Sequence, residues 1–155
     1  LTLVTGVQTC ALPIWNALMV KVFMGLPGSG KTKHLIDLVN NAVENESGNV
    51  VCIELGQKLR FDLNHNAKLV DITEYDFQGS FETLMAFVNG MYAGNYDITH
   101  IFIDSTLKIV GCDDVEAIES FLSRLDAFSE KTGVKFTVSL STDVSRATDK
   151  IKKYF

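Results

Sequence analysis

The chain has 155 residues, of which 46% are hydrophobic, enough for one domain with a real core. Its 14 Lys and Arg against 19 Asp and Glu leave a formal net charge of −5. No basic stripe appears, which argues against nucleic acid as a partner. The three cysteines, Cys10, Cys52 and Cys112, are isolated and lack ligand spacing. Neither a zinc site nor a disulfide framework is implied, and a reducing cytoplasm is the default.

Residues 1–18 carry no charge and hold the only tryptophan, Trp15. Thr2, Thr5, Gln8, Thr9, Pro13 and Asn16 interrupt the run, so it does not read as a membrane segment. A signal peptide needs a basic start, and none is present. The stretch from Val4 to Ile14 resembles the translation of a sequencing-library adapter. The expectation is a non-native, poorly packed leader over 1–18, a natural start at Met19, and one folded domain over 19–155.

Met19 to Met24 is a short apolar run that predicts a buried strand. Next comes Gly25-Leu26-Pro27-Gly28-Ser29-Gly30-Lys31-Thr32, which fits G-x-x-x-x-G-K-[ST] without a mismatch. A chance match in a chain of this length is roughly a one-in-two-hundred event. Lys33 to Asn45 follows, with Leu35, Leu38, Val39, Ala42 and Val43 on one helical stripe. Strand, Gly-rich turn and helix is the setting in which such a motif binds phosphate. Gly28 and Gly30 lack a Cβ, so backbone N–H groups can close around an anion. The helix start turns its positive dipole end to the same place. Lys31 can reach the β- and γ-phosphates, and the Thr32 hydroxyl can ligate Mg²⁺. The candidate nucleotide-binding residues are Gly25, Pro27, Gly28, Ser29, Gly30, Lys31, Thr32 and Lys33.

Val50 to Glu54 predicts a buried parallel strand ending in a carboxylate. Leu59, Phe61 and Leu63 alternate with Arg60 and Asp62, which suggests a short edge strand. Lys68 to Ile72 is another strand. Asp76 to Tyr92 carries Phe81, Leu84, Met85, Val88, Met91 and Tyr92 on a helical stripe, with Ser80 as a candidate N-cap. Ile98 to Asp104 is an apolar run closing on an aspartate, the form of a Walker B segment whose Asp104 would hold the Mg²⁺ shell. Asp113 to Lys131 predicts a helix ended by Gly133, Val134 to Leu140 the last strand, and Val144 to Phe155 a closing helix. This order predicts a three-layer α/β/α fold with a mostly parallel sheet.

The region 19–155 resembles P-loop NTPases, most closely the RecA-like division with an additional strand. That resemblance implies a P-loop NTPase fold, ATP and Mg²⁺ as ligands, and a last strand lying beside the P-loop strand. It also implies a catalytic Glu either after the Walker B Asp or at the end of the second strand. Ser105 follows Asp104, so the first place is empty, and Glu54 holds the second. Lys31 and Glu54 are therefore the candidate catalytic residues, and Thr32 and Asp104 the candidate metal ligands. The alternative for Glu54 is a strand-end acid capping a loop. Ser141 and Thr142 are either a sensor of the γ-phosphate or a helix N-cap. The chain also resembles small Gram-positive P-loop proteins sometimes labelled twitching-motility ATPases, but it lacks the acidic and histidine boxes of a retraction motor.

Three functions stay open at this stage. The first is a Mg²⁺-dependent ATPase or nucleotide switch, acting with a protein partner or as a homo-oligomer. The second is a nucleoside-type kinase, whose zinc-binding cysteines are absent here. The third is a module that binds nucleotide without turnover. No N-K-x-D guanine motif is present, which favours ATP.

Overall fold

A computed structural model of the chain describes residues 19–155. The expectations for residues 1–18 fall outside the described residues. Among the described residues five strands form: β1 Val20–Gly25, β2 Asn49–Glu54, β3 Lys68–Asp71, β4 Ile98–Ile103 and β5 Lys135–Ser141. Five helices join them: α1 Lys31–Asn45, α2 Phe81–Gly94, α3 Thr106–Val110, α4 Val115–Thr132 and α5 Asp149–Lys152. The sheet runs β1-β5-β4-β2-β3, and every pairing is parallel.

Strand β2 explains the layering. Its side chains alternate across the sheet, so Val51 and Ile53 enter one apolar cluster and Val50 and Cys52 another. The first cluster takes Leu84 and Val88 of α2 and Ile118, Leu122 and Leu125 of α4. The second takes Leu35, Val39 and Ala42 of α1. Helices thus cover both faces of the parallel sheet. The chain crosses from β1 to β2 on the α1 face, then returns through β4 and β5 on the other, as right-handed crossovers require.

Two expected elements differ. Residues 59–63 form turns, not a strand. Their backbone closes on itself, Asp62 N and Leu63 N both donating to Leu59 O, and Asn40 braces the turn, its Nδ2 donating to Asp62 O and its Oδ1 accepting from Asn64 N. The closing helix is broken into a 3₁₀ turn at Val144–Arg146 and the short α5. Extended Ala147 and Thr148 separate the two. The chain then runs along the open edge of β1, where Val22 N donates to Tyr154 O at 2.9 Å. Ser80 caps α2 as expected, accepting from Thr83 N.

At the amino-terminal end of the sheet, Glu46 follows α1 and ties it to β4 and β5. Its Oε2 lies 2.8 Å from His100 Nδ1 and 2.9 Å from Lys135 Nζ. Burial pushes the His100 imidazolium towards its neutral form, so Nδ1–H donates to Glu46 and Nε2 accepts from the Thr137 hydroxyl. Burial alone would raise the Glu46 carboxyl, but its bonds to His100 and Lys135 outweigh it and lower it from 4.5 to about 2. A depressed carboxyl stabilises the fold above its unfolded pKa, and that contribution is lost as pH falls through the folded one. Glu46→Gln should therefore cost about 1–3 kcal/mol at pH 7 in urea titrations. The difference should shrink as pH drops from 4.5 towards about 2. A difference independent of pH would show that shape, not charge, does the tethering.

Candidate functional site

The parallel register sets the carboxyl ends of the strands along one rim. Gly25 is level with Ser141, Ile103 with Val138, Ile53 with Ile103, and Glu54 with Asp71. Asp104 directly follows β4, and its N–H donates to Ile53 O at 2.9 Å. Residues far apart in the chain therefore meet at this rim, where ligands of open parallel sheets bind.

The Gly25–Thr32 loop joins β1 to α1. Gly28 and Gly30 have φ of 84° and 90°. Side chains in that region cost about 1–2 kcal/mol, so both positions call for glycine. A Cβ at either would meet nothing within 4 Å, so the requirement is conformational and the space beside the loop is open. At Gly25 a Cβ would come within 2.7 Å of Ser29 Oγ, so a larger residue there would have to turn that hydroxyl aside. Gly30 is the N-cap of α1 and offers no side-chain acceptor. The first amides of a 15-residue helix thus face the open space without a cap.

A cleft of about 360 Å³ lies there. It brings together Pro27, Gly28, Gly30, Lys31, Thr32 and Lys33 from the loop and Asp104 from β4. Lys58, Ser105, Lys108 and Ser141 complete its wall. Lys31 folds back over the loop and donates to Leu26 O at 2.9 Å and Ser29 Oγ at 3.3 Å. Burial lowers the pKa of its ammonium, against the pull of Asp104. Gly25 and Ser29 line an adjoining cavity of about 550 Å³, which shares Gly30 and Lys31 with the cleft and is walled by Phe23, Leu26, His34 and Val144.

Asp104 is buried, and desolvation raises its carboxyl pKa; Ser105, Lys58 and Lys31 pull the other way. Ser105 is the one non-glycine residue with positive φ among the described residues, at 54°. Such a conformation concentrates at functional sites. It turns the chain from β4 into α3 directly behind Asp104.

Glu54 does not line the cleft. It is 1% exposed, and its two oxygens accept from Lys58 N at 3.1 Å and Leu59 N at 3.2 Å. Desolvation raises its pKa, against these two bonds. Thr142 does not cap a helix; Asp143 caps the 3₁₀ turn, and Thr142 Oγ1 accepts from Arg146 Nη1 at 3.1 Å. Arg146 also donates to Asp113 O, which turns it along the surface. Sequence reasoning missed Lys58 and Lys108, because neither stands in a motif and only the fold carries them to Asp104. The buried Ser139 hydroxyl, in β5 between β1 and β4, has no partner among the described residues and does not line the cleft.

In comparisons with known proteins, no family model matches the chain, and no curated protein matches it. Among the described residues no helix is long and apolar enough to cross a membrane.

The Glu54 geometry changes what a conservative substitution does. Glutamine has one acceptor oxygen, so Glu54→Gln must turn an amide N–H₂ towards Lys58 N or Leu59 N. We expect a loss of about 1–3 kcal/mol in urea unfolding, without any ligand. A stability equal to the parent's would mean that the turn does not depend on the carboxylate.

Proposed function

We propose that the protein binds ATP with Mg²⁺ in the cleft at the start of α1, as a P-loop nucleotide-binding protein of the RecA-like kind. The observation that carries this reading is the convergence of Lys31, Thr32 and Asp104 on one cleft, although Asp104 lies in a different strand–helix unit. The position of β5 between β1 and β4 supports the same reading, since it matches the additional strand expected beside the P-loop strand. The uncapped amides of α1 and the glycines at 28 and 30 make a cradle for the β-phosphate. Lys31 has only a carbonyl and a hydroxyl to leave when a phosphate offers a stronger, charged acceptor.

The residues present fit a magnesium ion. No group of three or more His, Cys, Asp and Glu side chains among the described residues could cage a cation. Magnesium does not need one, because it keeps waters and phosphate oxygens and takes one or two protein oxygens. The Thr32 hydroxyl and the Asp104 carboxylate would hold it. The ion supplies charge neutralisation across the β- and γ-phosphate oxygens. Binding would also draw the raised Asp104 carboxyl back to its charged form.

A nucleotide switch without turnover is the second reading, and the geometry of Glu54 favours it. Both oxygens of Glu54 hold the backbone, so it is poorly placed to deprotonate a water.

Lys31→Ala should reduce Mg-ATP affinity by roughly 10²-fold or more in calorimetry and leave the melting temperature unchanged, because both hydrogen bonds of Lys31 are exposed to solvent. Asp104→Asn should abolish the Mg²⁺ dependence of binding and leave a weaker, metal-independent affinity. Equal Mg-ATP affinity in parent and Lys31→Ala would remove the assignment.

A further inference from the structure

We infer that Lys58 is a cation delivered from within the chain to the terminal phosphate of the bound nucleotide, and that Glu54 is its positioning residue. The inference rests on the ATP-binding reading above and takes the bound ATP to be hydrolysed with Glu54 as a positioning residue and not as the base; it adds the origin of the second positive charge.

A phosphoryl group in transfer carries charge on its outer oxygens, and a cation beyond the P-loop lysine stabilises it. No arginine of this chain reaches the cleft. Arg60 Nη1 donates to Gln57, Arg146 is held by Asp113 and Thr142, and Arg124 lies on the far surface with Glu116 and Lys150. The lysines do reach it. Lys31 comes from the β1 side. Lys58 comes from the opposite side, because β2 lies beyond β4 in the sheet. Asp104 stands between them at the end of β4. An anion anchored on the α1 amides and directed towards Asp104 meets Lys31 first and Lys58 at its far end.

The backbone of Lys58 is held in place before any ligand arrives. Its N–H donates to Glu54 Oε1, and the next N–H donates to Glu54 Oε2. Leu59 is 2% exposed and packs with Leu35 and Val39 under α1. On the other side, Gly56 has a φ of 99°, and its N–H donates to Asp71 Oδ1 at 2.9 Å. Two carboxylates and a core leucine thus fix the turn, while the Lys58 side chain is exposed and forms no salt bridge among the described residues. The turn fixes where the Lys58 stem begins beside the cleft, and its free ammonium can swing to an anion bound there. It also accounts for a buried glutamate at the rim that does not face the cleft.

In the hydrolysis this serves, a water oxygen bonds to the γ-phosphorus. The bridging oxygen leaves with the electron pair of its bond to that phosphorus, giving ADP. One water proton stays on the released phosphate and the other passes to solvent. Lys58 changes no bond; its charge offsets that of the γ-oxygens as the bridging bond opens.

The test uses the full chain with Mg-ATP, and Mg-ADP with aluminium fluoride as a mimic of the group in transfer. Lys58→Met keeps the stem and removes the charge. It should leave Mg-ADP affinity within about threefold, lower ATP turnover by on the order of 10²-fold, and weaken fluoride capture to match. Lys58→Arg should recover part of both. Lys58→Met combined with Glu54→Ala should lose no more turnover than Lys58→Met alone, since Glu54 acts through Lys58. Where Glu54→Ala does not fold, Glu54→Gln replaces it, assayed well below its melting temperature. Losses that multiply in the double variant would overturn the positioning role. Parental turnover and fluoride capture in Lys58→Met would overturn the role of Lys58 and leave the ATP reading standing. A parent that binds Mg-ADP but captures no fluoride would overturn it as well. A parent that binds no Mg-ATP at all would remove the ATP reading itself.

Discussion

The parallel register of β1, β5, β4 and β2 is the constraint on which the rest depends. Because every strand points the same way, the chain must leave each of them at the same rim. The Gly25 loop, Asp104, Glu54 and Ser141 are neighbours for that reason alone. A parallel sheet needs cover on both faces, and the two apolar clusters supply it. The site thus sits where backbone amides end and the core is closest, so its charges are partly desolvated and strong.

The two ends of the sheet handle charge in opposite ways. At the amino-terminal end, Glu46 is satisfied by His100 and Lys135 inside the protein, and its carboxyl is held well below the ordinary range. At the carboxyl end, Asp104 and Glu54 are raised by burial, while Lys31, Lys33, Lys58 and Lys108 gather around the cleft without an ion pair among the described residues. The first arrangement stabilises the fold as it stands. The second leaves surplus positive charge over a desolvated carboxylate, which an anion carrying its own cation would balance. That residual is what the proposed nucleotide binding would use.

Much of this was legible in the sequence, for physical reasons. Strands covered on both faces are dense in β-branched and aromatic residues with few charges inside the run, so β1, β2, β4 and β5 were placed to within a residue or two. The glycines of the Gly25–Thr32 loop announce a turn that few other residues can make, and Ser80 and Gly133 mark helix ends. What could not be read depends on long-range partners. Residues 59–63 alternate like a strand, yet Asp62 N and Leu63 N turn back on Leu59 O, Glu54 takes Leu59 N and Asn40 takes Asp62 O. Glu54 ends a strand as a catalytic acid would, and only the three-dimensional turn shows where its oxygens point. Lys58 has no motif at all; it reaches the cleft because that turn carries it there. Short helices such as α3 escape periodicity because one turn has no period.

The most direct measurement is an amide NMR titration of the chain with Mg-ATP. The account predicts that the largest shifts fall on Gly28 to Thr32, on Ser105 and on Lys58 and Leu59, with the Glu46 and His100 end of the sheet unmoved. An absence of shifts at millimolar Mg-ATP, or shifts centred on Glu46 and His100, would contradict it.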